Sequence, residues 1–564
     1  MKASRGILFI LLVAAFLRIW GVAFGLPDLY HADEPALVNH ALAHGTGDLN
    51  PHYFKLPAFL NYFLLFFYGI YFLLGRAIGW FPSQEAFVRL FLEDPSSFYL
   101  IGRIFTGVLF GVLGVFLIYR LGRALFSERI ALTAAFFLSC AFLHVRDSHY
   151  VIYDVPLTAA LTACFLVLTH LIQKGKAGSY FIFGILAGLA ISIKYNAALV
   201  LFPFFLAHTF TVFKRKESLI NLFFSPPLIA GLVAAFLMFL LTNPFFVLDF
   251  HSFWKDFLVQ AGAETPMGML HHLRYSLREG MGAPLLITGL LGILFLLSSK
   301  ESAQIILAFF VVLWLFYLSL FSQPYERYAL PALPFLCLSA AVALSRIFQW
   351  LHLETRRVAW FIFSFLLVLP SFARSVYCDF LFAQPDTRTL SREWVEANLA
   401  KGSTVALDYP FHLPRLRFDK EELTRKRDEI KGPQSDTNRE RLNLLIEGYD
   451  EKRPHYRLFF LDDGDGVNRP LFSRPTVGFR WEDLTKEKIR YVLLTRLTSE
   501  YEHPDFYETL KKKAVLVKTF TPFRDASRAW GLARWRQAAA ATEGRDLFAR
   551  DRFGDIIEIY QLPS

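Results

Sequence analysis

The stretch 26–57, LPDLYHADEPALVNHALAHGTGDLNPHYFKLP, concentrates side chains that can move protons and hold anions. Asp33 and Glu34 are adjacent carboxylates, and His31, His40, His44, His52 and Lys55 lie around them. A carboxylate pair can take the proton from a hydroxyl. A lysine can hold a phosphate as a compact point charge. His40 and His44 share a helical face at i, i+4, but no H-E-x-x-H pattern accompanies them, so metal ligation by that pair is weakly supported. Each residue also has a plainer reading. An acidic pair before Pro35 suits a helix N-terminus, and Lys55 before Pro57 suits a lysine reaching from apolar surface into water.

The elements that must position this loop are apolar. The chain has 564 residues, of which 54% are hydrophobic and 17% aromatic, with 61 Phe. Repeated apolar runs of about 18 residues identify a polytopic membrane protein. Such runs lie at 6–24, 58–74, 99–119, 130–145, 156–172, 180–194, 196–213, 219–242, 283–299, 303–321, 329–346 and 358–376. Lys2, Arg5 and the first run resemble a signal peptide, but Ala23-Phe24-Gly25 is a poor cleavage site, so 6–24 is read as an uncleaved span. Three of the four cysteines lie inside apolar runs and no C-x-x-C occurs, so neither a disulfide framework nor a zinc site is indicated.

Charge sets the expected topology. If 58–74 does not cross, the loops on the side of residue 1 carry fourteen basic residues (Lys2, Arg5, Arg120, Arg123, Arg129, Lys174, Lys176, Lys214, Arg215, Lys216, Lys300, Arg346, Arg356, Arg357) against four acidic ones. The positive-inside rule then favours a cytoplasmic N-terminus, an interfacial or re-entrant helix at 58–74, and about 11 spans. The net charge of +10 is explained by these loops, and nucleic acid is not an expected partner. The pair 180–194 and 196–213 is read as a hairpin turning at Lys194-Tyr195-Asn196. The expected architecture is thus a membrane domain at 1–376, with its catalytic outer loop at 25–57, and a soluble α/β domain at 377–564 on the outer face. TVALDYP, YRLFFLDD, IRYVLLTRL, AVLVKTF and DIIEIYQL read as strands, and 391–400 and 505–513 as helices. Residues 419–456 are highly charged and read as an insertion or mobile segment.

On this topology the polar residues collect at one face. Asp33, Glu34 and Lys55 come from the first loop, and Arg103 from just inside the next span. His144, Arg146, Asp147, His149 and Asp154 come from the second loop. Lys194 and Asn196 lie at the hairpin turn. Asp249, Lys255, His271, His272 and Arg274 fall in the fourth loop, and Glu326 and Arg327 in the last. Ionisable groups at helix ends are costly unless paired or hydrated, so their convergence marks a functional cavity. Neither G-x-G-x-x-G nor a GK[ST] loop is present to hold a nucleotide. A donor linked to a membrane lipid through phosphate fits an external site better than a cytoplasmic nucleotide sugar.

The motifs H-A-D-E-P, F-K-L-P, GRIFTG…YRLGRALFSERIALTAA, DSHYVIYDVPLTA, GLAISIKYN and ERYALPALP resemble the GT-C glycosyltransferases. The resemblance is to the bacterial branch that includes protein O-mannosyltransferases and the lipid A aminoarabinose transferase. It extends over most of 5–400. It implies a polyprenyl-phosphate-linked sugar donor and transfer at the periplasmic face of a bacterial inner membrane, to a lipid, glycan or protein acceptor. By resemblance, Asp33 is the catalytic base with Glu34 beside it. Lys55 contacts the lipid phosphate, with Arg327, Lys194 and Arg103 as further contacts. Asp154, His149 and Arg146 are other site candidates. No cofactor is required, although the carboxylates and histidines could admit a divalent cation. F-K-L-P departs from the two prolines that follow the lysine in many relatives. A transporter or flippase for the lipid-linked sugar is the alternative, but it would more often show inverted repeats. A non-catalytic scaffold or sensor is a third reading.

Overall fold

The computed structural model describes residues 5–260, 269–320, 325–408, 413–430, 435–462, 475–495, 502–525 and 546–563. Every apolar run falls on a helix. Seven helices are long and apolar enough to cross a membrane: Phe59–Ala77, Ser96–Leu125, Asp154–Lys174, Tyr195–Arg215, Asn221–Thr242, Glu326–Trp350 and Arg357–Asn398. An eighth is reached if His272–Met281 and Ala283–Leu297, bent by 116°, form one span. Other expected spans form shorter helices: Arg5–Ile19, Glu128–Cys140, Ala177–Ile193 and Ser302–Leu318. Among the described residues, seven or eight spans thus meet both length and composition, and the shorter apolar helices make up the rest of the expected eleven or so.

The expected turn at Lys194 is present. Its backbone is extended (φ −155°, ψ 130°), which ends the Ala177–Ile193 helix. Phe183 then stacks on Phe204, and Tyr180 hydrogen-bonds His208, so the two flanking helices run antiparallel. Phe59–Ala77 runs antiparallel to Ser96–Leu125: Phe63 meets Phe110, Phe67 stacks on Phe105, and Tyr71 meets Phe98. Its start is tied by the Ala58 amide to Asn243, and its far end continues to the Gln84–Glu93 helix, which contacts Ser435–Glu447 of the C-terminal domain. The segment 58–74, expected to be interfacial or re-entrant, thus lies on a helix that is long and apolar enough to cross a membrane.

The basic loops meet at the opposite end. Arg129 donates to the Glu354 carbonyl, Arg123 pairs with Glu128, and Arg215 donates to the Gly175 carbonyl. Lys2 lies outside the described residues.

The C-terminal domain is α/β, as its strand pattern indicates. Six strands, β1 (Thr404–Leu407), β2 (Arg457–Leu461), β3 (Thr476–Val477), β4 (Tyr491–Thr495), β5 (Val515–Phe520) and β6 (Ile557–Gln561), form one sheet in the order β3-β2-β1-β4-β6-β5. The first four are parallel, and β6 and β5 join antiparallel. Parallel strands buried on both faces need continuous apolar side chains, which YVLLT and RLFFL supply. The expected strand segments beyond Asp408, Asp462 and Thr495 lie outside the described residues. The charged 419–456 segment is not a structureless insertion within its described part: Lys420–Glu429 and Ser435–Glu447 are helices, the first capped by Asp419. The helix carrying the expected 376/377 boundary runs on to Phe382.

This domain sits over the first loop. The Tyr30 hydroxyl bonds Thr389, Arg392 pairs with Asp28, and Arg388 stacks over the Tyr30 ring at 3.9 Å. The C-terminal domain and the first loop therefore share one end of the bundle. A cysteine placed at exposed Lys488 should react with a membrane-impermeant maleimide from the opposite side to one placed at exposed Lys216. Labelling of both from the same side in oriented vesicles would contradict this arrangement.

Candidate active site

The site is assembled around one buried ion pair. Arg103 donates from Nε to Glu34 Oε1 and from Nη2 to Glu34 Oε2, each at 2.8 Å, and both side chains are fully buried. Glu34 Oε1 also accepts the Val151 amide at 3.0 Å. Arg103 Nη1 donates to the carbonyls of Val22 and Phe24, and its guanidinium lies 4.4 Å from the Phe24 ring centre. Arg103 opens a π-helical turn, Arg103–Val108, inside the long Ser96–Leu125 helix. Such turns recur where a helix is reshaped to aim a side chain. Gly107 on that turn lets the 148–151 loop pack on the helix backbone, because a Cβ there would collide with the Ser148 carbonyl. The clamp thus joins the end of the first helix, the first loop and the second loop.

Glu34, expected beside the base, and Arg103, expected at the phosphate, are bonded to each other and fully buried. A buried, bidentate pair of this kind is a structural fastening.

Asp33, one residue earlier, has the opposite environment. Its side chain is 49% exposed, and its carboxylate accepts from Arg327 Nη1 at 2.9 Å. Arg327 also faces Asp154 at 3.7 Å, and Asp154 accepts from Lys194 Nζ at 2.7 Å. Asp33, Arg327, Asp154 and Lys194 therefore form one chain of charges from four separate segments. Burial pushes the Lys194 ammonium below the usual lysine value, and Asp154 opposes that shift. Lys194 lies 4.2 Å from the Tyr328 ring centre, and Arg327 lies 4.4 Å from that of Tyr325.

Lys55 is exposed, with no polar partner among the described residues. Its loop is nonetheless held firmly. Asn50 donates to Asp249, the Phe54 amide to Asp256, the Ala58 amide to Asn243, and the Tyr195 hydroxyl to the Phe54 carbonyl. Arg146 is bound to Asp147 and Glu326. His149 is buried between the Trp20 and Val145 carbonyls, 3.6 Å from Asp379. Among the described residues no three His, Cys, Asp or Glu side chains are grouped to hold a metal ion. His52 pairs instead with Asp48, and His40 stacks on Tyr53.

The aromatic walls were not singled out in the sequence. Tyr325 and Tyr328 flank Arg327 in the motif Y-E-R-Y, and that spacing was the available signal. Asn243 and Asp256 position Lys55 from far along the chain, and nothing local marks them.

Residues 84–246 match the family model described as dolichyl-phosphate-mannose-protein mannosyltransferase. The chain thus resembles that family over the segment holding Arg103, Arg146, His149, Asp154 and Lys194. Asp33, Lys55 and Arg327 lie outside the match. No curated protein sequence matches the chain. Among solved structures, an oligosaccharyltransferase from Archaeoglobus fulgidus aligns over 99% of this chain and 88% of its own, with a TM-score of 0.48 and 12% identity. ArnT from Cupriavidus metallidurans, bound to undecaprenyl phosphate, aligns over 92% and 97%, with a TM-score of 0.47 and 13% identity. The mycobacterial arabinofuranosyltransferase AftD aligns over 100% of this chain and 42% of its own, with a TM-score of 0.43 and 16% identity.

Removing one partner of a buried ion pair strands the other charge, at a cost of about 3–5 kcal/mol. Glu34→Ala should therefore lower the thermal midpoint of the purified protein sharply. Glu34→Gln with Arg103→Met should cost less than the sum of the two single changes. A Glu34→Ala protein with wild-type stability would contradict the clamp.

Proposed function

We propose that the protein is a membrane glycosyltransferase that moves a sugar from a polyprenyl-phosphate donor to an acceptor hydroxyl at the outer face of a bacterial inner membrane. The observation that carries this reading is the convergence of an accessible carboxylate, Asp33, with the cations Arg327 and Lys194 at one end of the bundle. The family-model match over 84–246 supports it. A transporter would place its ionisable groups nearer the membrane midplane, between repeats.

The reaction is read as a single displacement with inversion. Asp33 takes the proton of the acceptor hydroxyl, and the oxygen attacks the anomeric carbon. The bond from that carbon to the phosphate oxygen breaks, and the lipid phosphate leaves with its negative charge stabilised by Arg327, Lys194 and Lys55. Asp154 orients Lys194 and shares Arg327. In the free site Arg327 is engaged by Asp33. An incoming phosphate competes for the same guanidinium, so donor binding releases the carboxylate for its role as base. Glu34 and Arg103 act by fixing Asp33 in place. Tyr325 and Tyr328 offer ring faces on which a sugar can lie. No cofactor is called for by this scheme.

Asp33→Asn keeps the size of the side chain and removes its basicity, so turnover should fall about 10²–10⁴-fold. The assay is transfer of label from radiolabelled polyprenyl-phosphate sugars to a membrane extract, with the full chain in liposomes. Retention of half the wild-type turnover by Asp33→Asn would contradict Asp33 as base.

A further inference from the structure

Two residues before Asp33 stands a histidine that the mechanism above does not use. The His31 ring stacks on Tyr150, with centroids 4.0 Å apart and planes inclined by 28°. Its Nδ1 accepts the backbone N–H of Asp33 at 3.4 Å. Its Nε2 has no hydrogen-bond partner among the described residues. We propose that His31 is a further donor-binding residue of this site, a neutral imidazole that offers its Nε2–H to an oxygen of the donor's phosphate.

A neutral imidazole has one donor and one acceptor nitrogen. Because Nδ1 accepts from the Asp33 amide, the proton must sit on Nε2. The surroundings hold the ring in that neutral form. Burial comes first, and the guanidinium groups of Arg327, Arg146 and Arg103 add to it, pushing the His31 pKa down to about 3. The cations that act on the ring are Arg103 from the Ser96–Leu125 helix, Arg146 from the second loop and Arg327 from the last; their carboxylate partners are Glu34 on Arg103, Asp147 and Glu326 on Arg146, and Asp33 on Arg327. A protonated imidazole would add a further charge beside three guanidinium groups. A neutral one supplies a directed donor without that cost. It also holds the leaving phosphate less tightly than a fourth cation would, which favours product release.

The stack on Tyr150 sets the plane of the ring, and the Asp33 amide sets its rotation. His31 is therefore fixed at both its flat face and its acceptor edge, which leaves only the donor edge for a ligand. The sequence H-A-D places that edge within one turn of the base. The same arrangement ties the position of the Asp33 backbone to the ring that meets the phosphate.

The proposal rests on the transferase reading, and the test separates the two. The full chain in liposomes is assayed with the radiolabelled polyprenyl-phosphate sugar that the wild type uses, and binding is measured separately with polyprenyl phosphate lacking a sugar. His31→Phe keeps the ring stack and removes the donor. It should raise the donor KM and the Kd for polyprenyl phosphate roughly tenfold, the loss expected for one hydrogen bond to a charged oxygen, while acceptor KM and thermal midpoint stay near wild type. His31→Gln, which can accept at its oxygen and donate at its nitrogen, should recover most of the loss. Because the ring stays neutral above about pH 4, the pH profile should keep its shape between pH 5 and 8 in both variants. Unchanged donor KM and Kd in His31→Phe would overturn the proposal while leaving the transferase reading intact. So would an equal loss of stability in both variants, or the disappearance of a limb near pH 6.5, which would make His31 a titrating group. A wild-type protein that transfers no label defeats the transferase reading itself.

Discussion

The arrangement depends on the contact between Glu34 and Arg103. Taking a carboxylate and a guanidinium out of water costs several kcal/mol for each ion. The cost is offset here by four guanidinium hydrogen bonds and a fifth to the carboxylate: two parallel bonds within the pair, the Val151 amide on one side and the Val22 and Phe24 carbonyls on the other. The bonds reach into three segments that are distant in sequence. If either charge is lost, the first loop keeps only weaker contacts with the second loop, such as the His31–Tyr150 stack. Asp33 has no comparable fastening of its own, so its position is inherited from its neighbour.

Adjacent carboxylates in one loop thus have opposite environments. Glu34 faces inward and is held. Asp33 faces the accessible side and shares Arg327 with Asp154. Environment, not residue type, divides structural from chemical roles. The cations follow the same division. Arg103, Arg146, Arg327 and Lys194 are all bound to carboxylates, Arg103 in full burial and Arg327 in partial exposure, while Lys55 is exposed. Lys55 is held only through its backbone, by Asp256, Asn243 and Tyr195, which leaves its ammonium able to follow a substrate.

Much of this architecture is legible in the sequence. Twelve apolar runs, a shift to charged composition after the last, and five short apolar strands give the two parts and their classes. The turn at Lys194 is visible because a lysine, a tyrosine and an asparagine interrupt an otherwise apolar stretch. The convergence of Asp33, Asp154, Lys194 and Arg327 follows once the loops are assigned to one end. What the sequence conceals is burial. Glu34 and Asp33 look equivalent as letters, and only the fold shows that one meets Arg103 and the other Arg327. The charged 419–456 segment hides its helices for a related reason: they carry local pairs such as Arg425 with Glu422 and Glu429, a pattern that reads as excess charge. The expected count of about 11 spans includes several apolar runs that form helices of only 13 to 17 residues, short of the length that crosses a membrane without further residues.

The most direct test of the central claim is a density map of the protein in lipid nanodiscs with polyprenyl phosphate. The account predicts the phosphate between Arg327, Lys194 and Lys55, with Arg327 drawn away from Asp33 and the Glu34–Arg103 pair unchanged. Phosphate density bound elsewhere, with the Asp33–Arg327 contact intact, would contradict it.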